Sequence, residues 1–232
     1  MAVLKPLAIT GGVLVLLAGG AVVGDNLVRD QTEQRVAASV QADLGLEATP
    51  EVSLGGVPFS TVFITRKVPQ GSLVATDVPV QVSGQAVALD SLTVHAQDIA
   101  LSDTEVELGS ATGEAILPYA ALSDLAAAPV ESVGDGRLQI SYTAHLFGKD
   151  RVAAVSAVPE FDPASQQLTL TQTRISIAGF PLSDDVSQAI MDALVKPIPL
   201  ELPLGIKLDT LNVETPGLRL TATADGLRFP LE

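Results

Sequence analysis

The chain has 232 residues, 13 basic against 27 acidic, for a net charge of −14, and it contains no cysteine. That balance excludes the basic surface that nucleic acid requires and a polybasic attachment to anionic headgroups; the lack of cysteine excludes disulfides, thiolate metal sites and an acylated N-terminal Cys. Apolar residues make up 47% but aromatic residues only 3%, so the interior has to be built from Val, Leu, Ile and Ala.

Leu7 to Val23 is an apolar run between Lys5 and Asp25. It reads as a secretory signal or a single membrane anchor. It is a little shorter than the ~20 residues of a full span, and Gly19 and Ala21 suit the positions before a cleavage site. In either case the remainder is expected to be exported. The expected division is a signal peptide or anchor in residues 1–24 and a single domain in residues 25–232. Lys5 is the only charged residue before Asp25, so the domain carries 12 basic against 27 acidic residues.

Asp25 to Leu44 predicts a helix that is polar in its first half and carries Val36, Ala37, Val40 and Leu44 on one face in its second. Gly45 can end it and Pro50 prevents its continuation. Strands follow. Val52 to Ile64 is apolar but is interrupted by Gly55, Gly56 and Pro58, which predicts a strand with a bulge or bend. Val78, Val80 and Val82 alternate with polar residues, as do Leu92, Val94 and Ala96, and Glu105 and Glu107 flank Val106; these patterns predict half-buried antiparallel strands. Ile116 to Ala128 predicts a short helix of about 10 residues, with Pro118 in its first turn and Pro129 after it.

Leu138 to Leu146 is the clearest strand, with Leu138, Ile140, Tyr142, Ala144 and Leu146 on one side. Asp135–Gly136 before it is the signal of a type I′ hairpin. Further strands are expected over Val152 to Val158 and Leu168 to Ile177. The apolar parity switches between Leu170 and Ile175, which predicts a bulge or a change of packing partner. Ser183 to Lys196 predicts an amphipathic helix: Ser183 as N-cap, Asp184 and Asp185 at the positive end of the dipole, an apolar stripe through Val186, Ala189, Ile190, Ala193 and Leu194, and Pro197 as a stop. The prolines at 197, 199 and 203 prevent the next segment from being an interior strand throughout. Ile206 to Val213 and Leu218 to Thr223 are expected to pair around Thr215–Pro216–Gly217, with Asp225–Gly226 turning the chain into a last short strand.

The residues offer little for catalysis. Both histidines occupy polar positions of alternating strands, there is no metal-ligand spacing, and there is no nucleophile elbow, P-loop or dinucleotide fingerprint. No catalytic residue, metal ligand or cofactor is therefore assigned, and the chain is expected not to be an enzyme. An excess of aliphatic surface with no polar constellation has two uses. Helix and sheet can close on each other, or they can leave an apolar groove for an acyl chain.

The order of several features resembles the LmeA-like family of actinobacterial phospholipid-binding envelope proteins. These features are an N-terminal apolar segment, a polar-to-apolar first helix, and a Gly56-Val57-Pro58-Phe59 turn. Later come an amphipathic helix, a Leu202-Pro203-Leu204-Gly205 run and a closing Gly217-Leu218-Arg219-Leu220 strand. The resemblance covers about Asp25 to the C-terminus. It implies an α+β fold of the TULIP-like kind, a strongly curved antiparallel sheet wrapped around one or two amphipathic helices with an elongated apolar cavity. It also implies phospholipid binding in the cell envelope. On that reading the protein is a non-enzymatic lipid binder outside the cytoplasmic membrane, tethered to it by residues 7–23 if these are not cleaved. The candidate lipid-binding residues are Phe59, Val62 and Phe63 after the first turn, with Phe180, Ile190 and Leu194 from the late helical stretch. The alternative is a closed-core scaffolding domain that binds other envelope proteins.

Overall fold

The structure, a computed structural model, describes residues 25–56, 61–82, 85–102, 105–146, 149–177, 180–181, 198–199 and 206–230. The apolar run at 7–23, the predicted helix from Ser183 to Lys196 and the Leu202–Gly205 run lie outside the described residues.

The first helix, α1, spans Asp25–Leu44 as the sequence predicts. It ends where Gly45 adopts a left-handed φ of 64° and the Leu46 amide reaches back to Gln41 O at 2.9 Å, a C-terminal cap that glycine makes without a Cβ penalty. Thr32, Val36, Ala37 and Val40 form its buried stripe.

Strand β1 (Glu51–Leu54) is much shorter than the predicted Val52–Ile64 strand, and a one-turn helix, α2 (Val62–Thr65), occupies the end of that stretch. The cause is local. Gly56 takes φ 123°, which only glycine adopts readily, and so leads the chain out of the strand. The β-branched VFIT segment, a strand by propensity, is held as a helical turn by tertiary packing, because Val62 is 2% exposed in the core.

Next come β2 (Lys67–Val82), β3 (Gln85–Leu101) and β4 (Glu105–Pro118). Helix α3 (Tyr119–Ala126) follows. It starts later than predicted, because Ile116, Leu117 and Pro118 are drawn into β4 by pairing with Arg219, Leu218 and Gly217. The elements described after it are strands: β5 (Val130–Ser132), β6 (Leu138–Leu146), β7 (Lys149–Asp162), β8 (Gln167–Ile177), β9 (Phe180–Pro181), β10 (Ile198–Pro199), β11 (Lys207–Val213) and β12 (Gly217–Pro230). Every pairing among the described residues is antiparallel. The expected hairpin turn is present, with Asp135 and Gly136 at φ 52° and 67° and the Arg137 amide on Gly134 O at 2.9 Å. Asp225–Gly226 is not a turn; Gly226 (φ 62°) kinks a β12 that continues to Pro230.

The strands form two sheets where the sequence suggests one. The first runs β1-β2-β3-β4-β12-β11, and the second β10-β8-β7-β6-β5, with β9 on β8. The sheets meet at Gln166, in the β7–β8 turn. Its amide accepts from Leu208 N at 3.0 Å and donates to Leu208 O at 2.8 Å, pairing with the β11 backbone as a neighbouring strand would.

Helix α1 lies on the first sheet. Val36, Val40 and Leu46 pack with Ala75 and Val78 of β2, and Leu54, Val62, Val68, Ala96, Ile99 and Val106 form an adjoining cluster. Each fully buried aliphatic side chain contributes about 1.5–3 kcal/mol of transfer free energy. Glu33 accepts from Leu54 N at 2.7 Å and Arg29 donates to Gly56 O, so polar bonds fix the helix against β1 and its exit.

Candidate functional site

Antiparallel register places directly opposed residues on the same face of a sheet. Read across the first sheet, one face is apolar in every row. One row is Leu54, Gly71, Ala96, Ala111 and Ala224. The next is Val52, Leu73, Val94, Gly113, Ala222 and Leu208. A third is Ala75, Leu92, Ala115, Leu220 and Leu211. The opposite face carries Ser72, His95, Thr112 and Thr223 in one row and Thr93, Glu114, Thr221 and Thr210 in another.

A strand alternates strictly, so a bend would normally turn its apolar residues outward. Left-handed residues prevent this. Asp98 on β3 (φ 52°) and Gly226 on β12 (φ 62°) flank Gly109 on β4, and together they draw a line across three strands. An added Cβ at Gly109 would stand 2.8 Å from the Asp98 Cβ, so the strands approach too closely there for any larger residue. Beyond the line the apolar positions move by one. Ile99, Leu108 and Leu227 continue the face begun by Ala96, Ala111 and Ala224. Asp77 (φ 52°) does the same in β2, keeping Ala75 and Val78 in one cluster.

Helix α1 covers the β1–β2 side of this face. At the centre of β4 and β12 the residues are small: Ala111, Gly113, Ala115 and Ala222 are half-buried. An added Cβ at Gly113 would find Thr93 O, at 4.0 Å, as its nearest atom among the described residues. The middle of the apolar face is thus lined by small residues, with larger Leu and Val side chains on either side.

Two open depressions are present among the described residues. One of about 290 Å³ lies among Thr93, His95, Thr112, Gly113, Glu114, Asp209, Thr221, Ala222 and Thr223. Another, of about 370 Å³, lies beside α1 among Asp30, Glu33, Gln34, Ala37, Thr49, Pro50 and Val52. Both mix polar with apolar lining. Among the described residues no group of three His, Asp or Glu side chains is gathered to hold a metal. Nor is any described helix long and apolar enough to cross a membrane.

The electrostatics also lie outside the apolar face. Arg219 bridges Glu114 and Glu214, and its hydrogen bond holds the Glu214 carboxyl below the ordinary range. Arg228 bridges Glu107 at 3.0 Å, and that hydrogen bond raises the guanidinium pKa. Asp162 is lowered first by the Ser165 hydroxyl and then by the Ala164 amide, both of which it accepts in the turn that carries Gln166.

A family model described as LmeA-like phospholipid-binding matches residues 23–223. The chain belongs to the LmeA-like phospholipid-binding family. No curated protein and no solved structure matches it.

The sequence-based candidates for this LmeA-like chain fall unevenly on the structure. Val62 is in α2 and packs in the closed cluster with Leu54, Val68 and Val106. Phe63 is its neighbour in α2, and Phe180 pairs with Ile177 at the edge of the second sheet; their side chains lie outside the described residues. Phe59, Ile190 and Leu194 lie outside the described residues altogether. The small residues of β4 and β12 were not singled out by sequence reasoning. Their signal is the alternation Ala111-Thr112-Gly113-Glu114-Ala115, which is period two but lacks the large aliphatics by which a strand is usually noticed.

Proposed function

We propose that this chain binds phospholipid by laying acyl chains against the apolar faces of its sheets, without chemical change to the lipid, outside the cytoplasmic membrane. The observation that carries the reading is the run of small residues at the centre of the first sheet's apolar face. Consecutive rows place Ala96, Ala111 and Ala224, then Gly113 and Ala222, between larger aliphatics. Membership of a phospholipid-binding family supports it. A flexible chain of CH₂ groups can follow such a run of small residues where rigid side chains leave it unfilled.

An acyl chain of about 15 CH₂ groups carries roughly 12 kcal/mol of transfer free energy at ~0.8 kcal/mol each. Most of it cancels against the bilayer the lipid leaves, so the balance favours exchange over permanent retention. Placement outside the cytoplasmic membrane rests on the Leu7–Val23 run, which would direct export and, uncleaved, tether the domain to the membrane it serves. The test is photocrosslinking. The full chain is mixed with vesicles of phosphatidylcholine bearing a diazirine on one acyl chain, and the adducts are mapped by peptide mass spectrometry. Adducts on the 105–118 and 217–230 peptides are expected; a chain that gives none anywhere would sink the lipid reading.

A further inference from the structure

Ile64 is the most exposed large apolar side chain among the described residues, at 85%. Val62, two positions before it in α2, is buried in the core. Residues two apart on a helical turn point to opposite sides, so burying Val62 holds Ile64 out in water. The turn is fixed at its end as well. Arg66 caps it at φ 52°, with its amide on Val62 O at 2.8 Å and its carbonyl accepting from Leu101 N at 2.8 Å. Thr65, Arg66 and Lys67 follow Ile64, and all three are exposed. In a chain with 13 basic against 27 acidic residues, two cations thus stand directly after its most exposed aliphatic side chain.

The first turn of α1 lies at the same end of the domain. Val28 packs against the cluster that holds Val62, Arg29 donates to Gly56 O, and Leu27 is 51% exposed. The apolar run Leu7–Val23, which reads as a signal or an anchor, stops just before α1 begins at Asp25.

We propose that the α2 tip is a bilayer-docking site: Ile64 enters the boundary between headgroups and acyl chains of a phospholipid membrane, with Arg66 and Lys67 at the level of the phosphates. An aliphatic side chain followed by cations suits that boundary, because the apolar group sinks a few Å while the long basic stems keep their charges among the headgroups. A stable protein interface needs about 800 Å² from each partner, far more than one helical turn offers. A bilayer can accept a single side chain, because residues 7–23, if retained in the same membrane, hold the tip at high local concentration. The contact is with the membrane surface and not with one extracted lipid, so it does not depend on acyl chains reaching the sheet. It orients the domain with α2 and the end of β3 toward the membrane.

The chain contains no tryptophan, so one placed at the tip is the sole reporter. The full chain carrying Ile64→Trp is reconstituted with phosphatidylcholine vesicles, zwitterionic because the protein is strongly negative. Emission is compared between vesicles brominated on the acyl chains near the glycerol and near the methyl end. A blue-shifted emission is expected, quenched more by the shallow bromines than by the deep ones. Val133→Trp, at an exposed position after β5, is expected to keep a water-like emission and to escape quenching. Thr65→Trp provides the same readout should Ile64→Trp fail to fold. A reporter at the tip that emits as in water, or is quenched no more than the one at position 133, would overturn the proposal. So would quenching that vanishes when Gly113→Leu is added, since the quencher would then be a lipid held on the sheet.

Discussion

Replacing Gly113 by leucine separates a lipid trough from a closed core. Gly113 lies between Val94 and Ala222 in the central row of the apolar face. Its φ is outside the left-handed region, so an L side chain brings no backbone strain, and the nearest described atom to an added Cβ is 4.0 Å away. Alanine there is expected to stabilise the protein by about 0.4–1 kcal/mol, because it narrows the unfolded ensemble. Leucine adds four carbons along the trough floor. If acyl chain normally lies there, about four CH₂ contacts are displaced, and at ~0.8 kcal/mol each the lipid loses roughly 3 kcal/mol. That is on the order of a 100-fold fall in affinity, with the melting temperature unchanged or raised. A closed core would respond in the opposite sense, since overpacking costs about 1–3 kcal/mol of stability. The assay is displacement of the diazirine lipid alongside thermal unfolding of the same samples. A Gly113→Leu protein that is destabilised by that amount and binds lipid as before would refute the trough.

Gly217→Ala would set a Cβ 2.2 Å from Leu117 O, a backbone clash no rotamer relieves; a loss of roughly 2–3 kcal/mol or more is expected in urea unfolding. Gln166→Ala removes both bonds to Leu208 across the meeting of the two sheets; about 1–3 kcal/mol is expected, with faster amide exchange at Leu208 as the local readout. The pKa of Asp162 is lowered in the folded chain. Its contribution is therefore complete above the ordinary Asp value of about 3.9 and is lost as pH falls through the lower native value. Asp162→Asn should flatten that acid limb of the stability curve, and an unchanged limb would show that the turn carries none of it.

Much of the secondary structure was legible because its causes are local. The α1 bounds follow from Val36, Val40 and Gly45, the β5–β6 turn from Asp135–Gly136, and the β8 bulge from the parity change after Leu170. What escaped depends on partners far along the chain. Ile116 to Pro118 suits a helix start until β12, about a hundred residues on, pairs with it. The VFIT segment is strand-like until Val62 finds the core. The division into two sheets is likewise a matter of pairing that no stretch announces. For the site, the aliphatic excess was readable as a surface needing a cover. Its location was not, because a trough is marked by what is missing, and Ala and Gly give a weak hydrophobic signal. Only the register, which sets Ala96, Ala111 and Ala224 side by side, turns scattered small residues into a floor.

Asp77, Asp98 and Gly226 explain how long, bent strands can still present one dry face. A strand of 14 to 17 residues that curves by a single-residue offset would expose its remaining apolar positions to water. A left-handed residue at the bend absorbs the offset, so that Ala96 and Ile99, three apart, stay on the same side. Aspartate is an unusual occupant of that conformation but a tolerated one, because its short side chain can bond locally. At Asp77 and Asp98 it is also solvent-exposed, adding to a surface whose charge is strongly negative. The same device therefore serves both faces. It keeps one face continuously apolar, and it places carboxylates on the other. A domain so built has no electrostatic attraction to an anionic bilayer. Its access to lipid has to come through apolar contact, or through a tether such as residues 7–23 would provide.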